Sequence, residues 1–213
     1  MPRPFTLRLA TLALACAAAL SQAAAQAPDP DSDEGRCARG VPAACRDLGR
    51  ARLLGEGAAR DDRLAAAYLL KACEMGDAAG CSDLGVLSAI GRGVSQDDAR
   101  AVALSRRACA GGSALGCSNQ AVLSLAGAGG APPPDGKGEG GARIVRAFRT
   151  ACEAGVPEGC LDLGTALAAD LLVAGDLGEA ARSLRRACDA GLGLACYRLG
   201  LLATRSPASV GAP

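Results

Sequence analysis

Ten of the eleven cysteines in this chain of 213 residues form five pairs, each with seven residues between its two members. Cysteine thiolates bind zinc, but four-cysteine zinc sites usually contain C-x2-C, and neither that spacing nor any histidine occurs here. In an exported chain, an even number of cysteines at a fixed spacing indicates a disulfide framework. We therefore predict no metal or other cofactor and five disulfides: Cys37–Cys45, Cys73–Cys81, Cys109–Cys117, Cys152–Cys160 and Cys188–Cys196.

Residues 1–25 have the pattern of a secretory signal peptide. MPRPFTLR carries two arginines and no acid, LATLALACAAAL is a short apolar run, and SQAAAQ supplies small residues for cleavage after Ala25. A second interpretation takes ALAC, ending at Cys16, as a lipoprotein cleavage box with a lipid anchor on that cysteine. Either way the mature chain is exported without a transmembrane segment, and is periplasmic, secreted or anchored by lipid.

Composition argues against two classes of function. Charge is balanced, with 23 basic and 22 acidic residues, and aromatic residues are only 2%, so a nucleic-acid surface is not expected. Catalytic signatures are also lacking: there is no histidine to serve as a base, and no G-x-S-x-G motif. An S-x-x-K motif is absent because Tyr68 and Pro134 precede Lys71 and Lys137 by three residues. The residues therefore favour binding over catalysis.

A repeat underlies the cysteine pairs. Their first cysteines recur at intervals of 36, 36, 43 and 36 residues, which is typical of stacked repeats. A Leu-Gly pair follows most second cysteines, and a GxG turn lies further along. The Leu-Gly glycines are Gly49, Gly85, Gly164 and Gly200, and the turns are Gly55–Gly57, Gly91–Gly93 and Gly127–Gly129.

The pattern of each repeat predicts two antiparallel helices. The first begins near the second cysteine and ends at the GxG turn, where glycine permits a helix end. The second begins at an aspartate and ends with basic residues, the order that the helix dipole favours. We expect the Leu-Gly glycine to contact a column of small or apolar residues on the second helix: Ala65, Ala101, Ile144 and Ala180. Such pairs bury their apolar faces only by stacking, so we predict an all-α solenoid in which each disulfide joins consecutive helices.

The best copy of the repeat, GCSDLGVLSAIGRGVSQDDARAVALSRRAC at residues 80–109, resembles Sel1-like repeats. The C-x7-C pairs resemble the cysteine-rich branch of that family, the secreted Helicobacter-type proteins. The resemblance implies an α/α superhelix, similar to tetratricopeptide arrays, whose first helices line a concave face and bind a protein or peptide. Some members of that branch are described as penicillin-binding proteins with weak β-lactamase activity, which is the alternative function.

These patterns divide the chain into segments. After the signal peptide we expect a disordered linker at 26–36, the repeat solenoid at 37–204 and a disordered tail at 205–213. The predicted helix pairs are approximately 42–77, 78–113, 114–156 and 157–192, with a capping helix at 193–204.

Three features are candidate binding surfaces. The residue before each Leu-Gly position is polar in every repeat, and the resemblance places it on the concave face, where it would hold a ligand's main chain. We call this set the polar ladder: Asp47, Asp83, Asn119, Asp162 and Arg198. The alternative is a set of solvated helix-start residues that suit the dipole.

The second feature is a basic column on the second helices, formed by Arg106, Arg107, Arg149, Arg185 and Arg186. It is either a stripe for an anionic partner or dipole-matched surface charge, and we favour the latter. The third is the Pro-Gly segment at 127–141, either a recognition motif or a tolerated loop insertion, of which we favour the loop.

Overall fold

The structure is a computed structural model that describes residues 29–130, 136–170 and 172–211. The predicted signal peptide, Cys16 and residues 131–135 of the Pro-Gly segment lie outside these ranges. The part of the chain that is described contains eleven α-helices and no strand, which confirms the predicted all-α class. The helices are Asp33–Ala38 (α1), Pro42–Leu54 (α2), Asp62–Glu74 (α3), Ala78–Ile90 (α4), Asp98–Ala110 (α5), Ala114–Leu125 (α6), Glu139–Glu153 (α7), Pro157–Ala169 (α8), Leu177–Asp189 (α9), Gly193–Arg205 (α10) and Pro207–Val210 (α11).

The helices α2, α4, α6, α8 and α10 are the first helices of their repeats, and α3, α5, α7 and α9 are the second helices. Aspartates cap three of the second helices. The Asp61 carboxylate accepts hydrogen bonds from the backbone N–H groups of Arg63 and Leu64, and Asp97 and Asp176 cap α5 and α9 in the same way. These bonds satisfy backbone donors that have no partner within the helix, so they fix where each second helix begins.

Left-handed backbone conformations end three of the first helices, α2, α4 and α8. Gly55 and Gly91 close α2 and α4 at φ 76° and 70°, a region that glycine adopts without strain. The fourth repeat lacks this glycine, and Asp170 takes its place at φ 52°, the single non-glycine residue with positive φ in the described ranges. Its carboxylate accepts a hydrogen bond from the Gly175 backbone N–H at 2.7 Å and pairs with the Lys137 Nζ at 2.7 Å. These side-chain contacts hold the turn without glycine.

Close packing joins the two helices of a repeat. A Cβ added to Gly49 would lie 2.7 Å from the Leu69 Cγ and 3.1 Å from the Ala65 carbonyl oxygen. Gly164 is equally confined, 2.7 Å from the Leu184 Cγ and 2.9 Å from the Ala180 oxygen. The predicted contact between the Leu-Gly glycine and the Ala column is therefore confirmed in these repeats.

All five predicted disulfides are present. Each one joins two cysteines eight positions apart with a Cα–Cα distance between 4.3 and 4.7 Å. The first cysteine of each pair lies near the end of one helix, and the second lies in the first turn of the next, so each bridge joins consecutive repeats. Disulfides persist in oxidising compartments, so the chain folds in an oxidising environment.

Two terminal segments differ from the sequence-based expectation. The predicted linker at 26–36 contains the start of α1, because the Ser32 hydroxyl accepts a hydrogen bond from the Gly35 N–H and Asp33 and Glu34 suit the helix N-terminus. The predicted disordered tail at 205–213 contains α11, which packs against α9 and α10. The expectation failed because both segments are short and polar and fall outside the repeat pattern.

Stacking brings the first helices together. Each first helix packs against the next one along the chain, whereas contacts between successive second helices are sparse in the described ranges. A stack that curves toward its first helices has this arrangement, because elements on the inner side lie closer together. No helix in the described residues combines the length and apolar character needed to cross a membrane.

Candidate functional site

The five members of the polar ladder occupy one register. Each lies two residues after the second cysteine of its pair, in the first half of a first helix. Because successive first helices pack together, the five positions follow one another along the first-helix face. The structure therefore brings the predicted residues together.

Hydrogen bonds connect ladder residues to the neighbouring repeat. The Asn119 Nδ2 donates to the Ser82 Oγ at 3.1 Å, which links α6 to α4. The Ser118 Oγ donates to the Asp162 Oδ2 at 3.1 Å, which links α6 to α8. Both serines immediately follow the second cysteine of their repeat and are buried. The ladder thus helps to set the register between repeats.

Asp83 sits in a largely desolvated position. Burial raises the pKa of its carboxyl group, while the nearby guanidinium groups of Arg50 and Arg46 oppose that rise. The nearest cation is the Arg50 Nε, 3.9 Å from the Asp83 Oδ2, and this oxygen has no hydrogen-bond partner among the described residues. This enclosed oxygen therefore lacks the hydrogen bond that would offset its desolvation.

Asp162 is the most perturbed acid of the ladder. Burial raises the pKa of its carboxyl to about 6, and Glu158 adds to the rise. The Ser118 hydrogen bond and the positive charge of Arg198 act in the opposite direction. This side chain therefore changes its charge in a mildly acidic solution.

The ends of the ladder differ from its centre. Asp47 is exposed, and its Oδ1 accepts hydrogen bonds from the Arg46 Nε and a terminal nitrogen at 3.1 and 3.0 Å. Arg198 is also exposed. The alternative of uniformly solvated helix-start residues therefore fits the two ends of the ladder, whereas the three central positions are partly buried between helices.

Three clefts open between successive first helices, and each contains one ladder residue. The cleft between α4 and α6 has a volume of about 120 Å³ and is lined by Asn119. The cleft between α6 and α8 has a volume of about 290 Å³ and is lined by Asp162. The cleft between α8 and α10 has a volume of about 360 Å³ and is lined by Arg198. The remaining lining of the first two is almost wholly apolar.

Sequence analysis missed an exposed apolar column beside the ladder. Val86, Val122 and Leu201 lie three residues after ladder positions, one helical turn away, and are 41–42% exposed. Each also lines one of the clefts. The signal in the sequence was incomplete, because Arg50 and Thr165 hold the same offset in the other two repeats, and only the neighbouring helix shows that this side is uncovered.

The basic column is partly used within the protein. Arg149 pairs with both carboxylate oxygens of Glu179 at 2.9 and 3.0 Å, and this pairing raises the pKa of its guanidinium. Arg186 and Arg107 donate to the backbone oxygens of Cys152 and Glu74 in the preceding repeat. The column therefore connects neighbouring repeats, and it does not form an uninterrupted stripe of free cations.

The segment at 127–141 contributes a short 3-10 turn at Ala128–Gly130 and the first turn of α7. Within the described ranges, no group of three carboxylate, thiol or imidazole side chains is placed to hold a metal ion.

Comparison with protein families identifies two repeats. The Sel1 repeat model matches residues 42–77 and 78–113, which are the bounds of the first two predicted helix pairs. A comparison with curated protein sequences finds no match.

Solved structures of a Sel1 repeat protein and of a protein with an SLR fold share this fold. A Sel1 repeat protein from Oxalobacter formigenes aligns with a TM-score of 0.65 and 22% identity, over 80% of this chain and 66% of that chain. A protective antigen of uropathogenic Escherichia coli strains, with an SLR fold, aligns with a TM-score of 0.60 and 21% identity, over 85% of this chain and 37% of that chain. Cysteine rich protein B of Helicobacter pylori aligns with a TM-score of 0.43 and 25% identity, over 60% of this chain and 92% of that chain. This chain thus spans less than two thirds of each of the first two proteins.

Proposed function

We propose that this Sel1-repeat protein is an exported, non-catalytic scaffold that binds a peptide or protein segment along its first helices. Export to the periplasm or beyond is part of the proposal, with Cys16 as the site of a lipid anchor if the lipoprotein signal is used. Stacked helical repeats present extended surfaces of this kind for protein interaction. A first-helix location for the binding site accounts for apolar side chains that remain exposed on that side.

The observation that carries the proposal is the series of clefts between α4, α6, α8 and α10. Each combines one polar ladder residue with apolar walls, the usual composition of a ligand site. A bound segment would place apolar side chains in successive clefts, while the ladder residues would hydrogen-bond its main chain. Asn119 and Asp162, which line two of these clefts, are suited to that role.

The test compares a variant of this face with a matched variant of the opposite side. Peptides would be selected from a random library on the purified, disulfide-bonded protein, and their affinities measured by fluorescence anisotropy. The double change Val86→Asp and Val122→Asp places charges in two clefts, and we expect it to weaken binding at least tenfold, roughly 1.4 kcal/mol. Ala67→Asp with Ala103→Asp introduces the same charges at exposed positions of α3 and α5 and is the control.

Circular dichroism would establish that both variants keep their helices. Loss of binding in the cleft variant alone would support the first-helix site. Equal binding by all three proteins would move the site elsewhere on the solenoid. Failure to select any peptide, together with turnover of a chromogenic cephalosporin by the wild type, would overturn the proposal in favour of the enzymatic alternative.

A further inference from the structure

Of the three clefts described above, the one with the largest volume differs from the other two in charge. Two arginines and no acidic residue line the cleft of about 360 Å³ between α8 and α10. The rest of its lining is mainly apolar: Ala168, Ala169, Leu177, Leu184, Leu201 and Leu202. Asp162 interacts with Arg198 through its charge, but it lines the adjacent cleft.

The two arginines of this cleft, Arg198 and Arg205, are exposed and make no hydrogen bond or ion pair with any described residue. Other arginines near the first-helix face are engaged, since Arg46 pairs with Asp77 and Arg92 pairs with Asp62. A guanidinium presents several N–H donors in a fixed plane, which suits a carboxylate. Both arginines of this cleft are therefore available to a ligand.

The distance between the two arginines limits which ligands can contact both of them. Arg198 and Arg205 are seven residues apart on α10, which is two helical turns or roughly 10.5 Å along the axis. Leu201 and Leu202 lie between them in the cleft wall. A peptide in the polyproline II conformation has three residues per turn and rises about 3.1 Å per residue, so residues three apart lie on one face about 9 Å from each other. Two acidic residues separated by two apolar residues would place a carboxylate near each arginine and an apolar side chain between them.

We infer that the cleft between α8 and α10 binds an acidic peptide segment in which carboxylates flank leucine-like side chains. This inference rests on the proposed function, because it names the chemistry of a partner at one end of the same face. Charge complementarity favours the α8–α10 end of the face for an acidic segment, because the neighbouring clefts contain Asn119 or Asp162 and offer no cation.

The probe is a fluorescein-labelled peptide with blocked ends and the sequence Gly-Gly-Glu-Leu-Leu-Glu-Gly-Gly. A second peptide with glutamine in place of both glutamates keeps the shape and removes the charge. Fluorescence anisotropy with the full-length, disulfide-bonded protein should show binding of the acidic peptide that weakens as salt is added. We expect the neutral peptide to bind about tenfold more weakly, because its amides lack charge-assisted hydrogen bonds.

The protein variants locate the site. Arg198→Gln with Arg205→Gln should lower the affinity for the acidic peptide about tenfold while leaving the weak binding of the neutral peptide unchanged. Arg106→Gln with Arg146→Gln removes two exposed charges from second helices, so it lowers the net charge equally and should retain binding.

Equal affinity for both peptides would overturn the inference, and so would equal losses of affinity in the two double variants. A third contrary result uses dodecanoate, a fatty-acid anion, as a competitor. If dodecanoate displaces the acidic peptide while the double variant Arg198→Gln and Arg205→Gln loses no affinity for that peptide, the inference is wrong. If the acidic peptide fails while library-selected peptides still depend on Val86 and Val122, the proposed function stands and only this assignment falls.

Discussion

At the residue scale, Asp162 connects the site with the stability of the protein. Its carboxylate accepts a hydrogen bond from Ser118 and faces an apolar cleft, so the ionised form loses water that one hydroxyl only partly replaces. A binding site that keeps an acid in such a position lowers the stability of the unliganded fold. Ligand donors that approach the cleft would recover part of that loss.

We expect Asp162→Asn to stabilise the protein at neutral pH. The pKa of this carboxyl is raised from 3.8 to about 6 in the fold, so its favourable contribution is complete below pH 4 and is lost as the pH rises through 6. The shift corresponds to roughly 3 kcal/mol, and partial exposure reduces the expected gain to about 2 kcal/mol at pH 7. Urea unfolding of the disulfide-bonded protein at pH 4 and pH 7 measures it.

The amide introduced by Asp162→Asn retains an oxygen that can accept the Ser118 hydrogen bond, so the comparison isolates the charge. Asp47→Asn, at the exposed end of the ladder, is the control and should change stability by about 0.5 kcal/mol or less at either pH. If Asp162→Asn gains nothing at pH 7, the carboxylate is better solvated than its burial implies.

A pair of glycine substitutions separates packing from backbone freedom. Gly164→Ala should destabilise the protein by about 1–3 kcal/mol, because the added Cβ would lie 2.7 Å from the Leu184 Cγ. Gly200 holds the same register in α10, but nothing lies within 4 Å of its added Cβ. Gly200→Ala should therefore stabilise the helix by about 0.5–1 kcal/mol. Thermal unfolding of both variants provides the measurement, and similar effects at the two positions would contradict the packing argument.

At the scale of the elements, disulfides stabilise the contacts between helices that large apolar side chains stabilise in other solenoids. Aromatic residues make up only 2% of the chain, and many interhelical contacts involve alanine or glycine. Each disulfide closes a loop of about nine residues, which the chain-entropy model values at roughly 2.5 kcal/mol. Consecutive repeats are thus tied together covalently where the apolar contact area is small.

Exposure predicts the order in which the disulfides are reduced. Cys73 and Cys81 are each 1% exposed, whereas Cys196 is an exposed residue of α10. A thiolate must reach a sulfur atom to attack it, so Cys188–Cys196 should be reduced first, and Cys73–Cys81 and the equally buried Cys37–Cys45 last, under native conditions. Timed alkylation followed by peptide mass spectrometry gives the order. The same order in urea would indicate that access in the fold is not the cause.

At the scale of the whole molecule, the repeat made most of the fold predictable. Cysteine spacing was confirmed in every repeat, and the helix ends at GxG turns and the helix-capping aspartates were confirmed in most of them. The third repeat departs from both patterns, because Ala126 ends α6 and Gly138 precedes α7 without a side-chain cap. The clefts were not predictable, because their size depends on the distance between helices 36–43 residues apart in sequence. The left-handed conformation of Asp170 was not predictable either, because contacts with Gly175 and Lys137 hold that turn.

The apolar core divides the solenoid into two unequal parts. One continuous cluster extends from Ala121 to Leu202 and includes Phe148, which is 2% exposed. The helices before it contain three smaller clusters, one of which includes the fully buried Leu69. In a stack whose repeats contact only their neighbours, stability is approximately a sum of local terms. The two parts should therefore open separately.

Native-state hydrogen exchange tests this division. Phe148→Ala should lower the opening free energies of amides in α7, α8 and α9 by about 3–5 kcal/mol, the usual cost of deleting a buried aromatic ring. Amides of α3 and α4 should keep their protection. Leu69→Ala is the reciprocal variant and should weaken α3 and α4 while sparing α8 and α9. If either substitution lowered protection uniformly from α2 to α10, the solenoid would unfold as one cooperative unit, and the division between the apolar clusters would carry no energetic boundary.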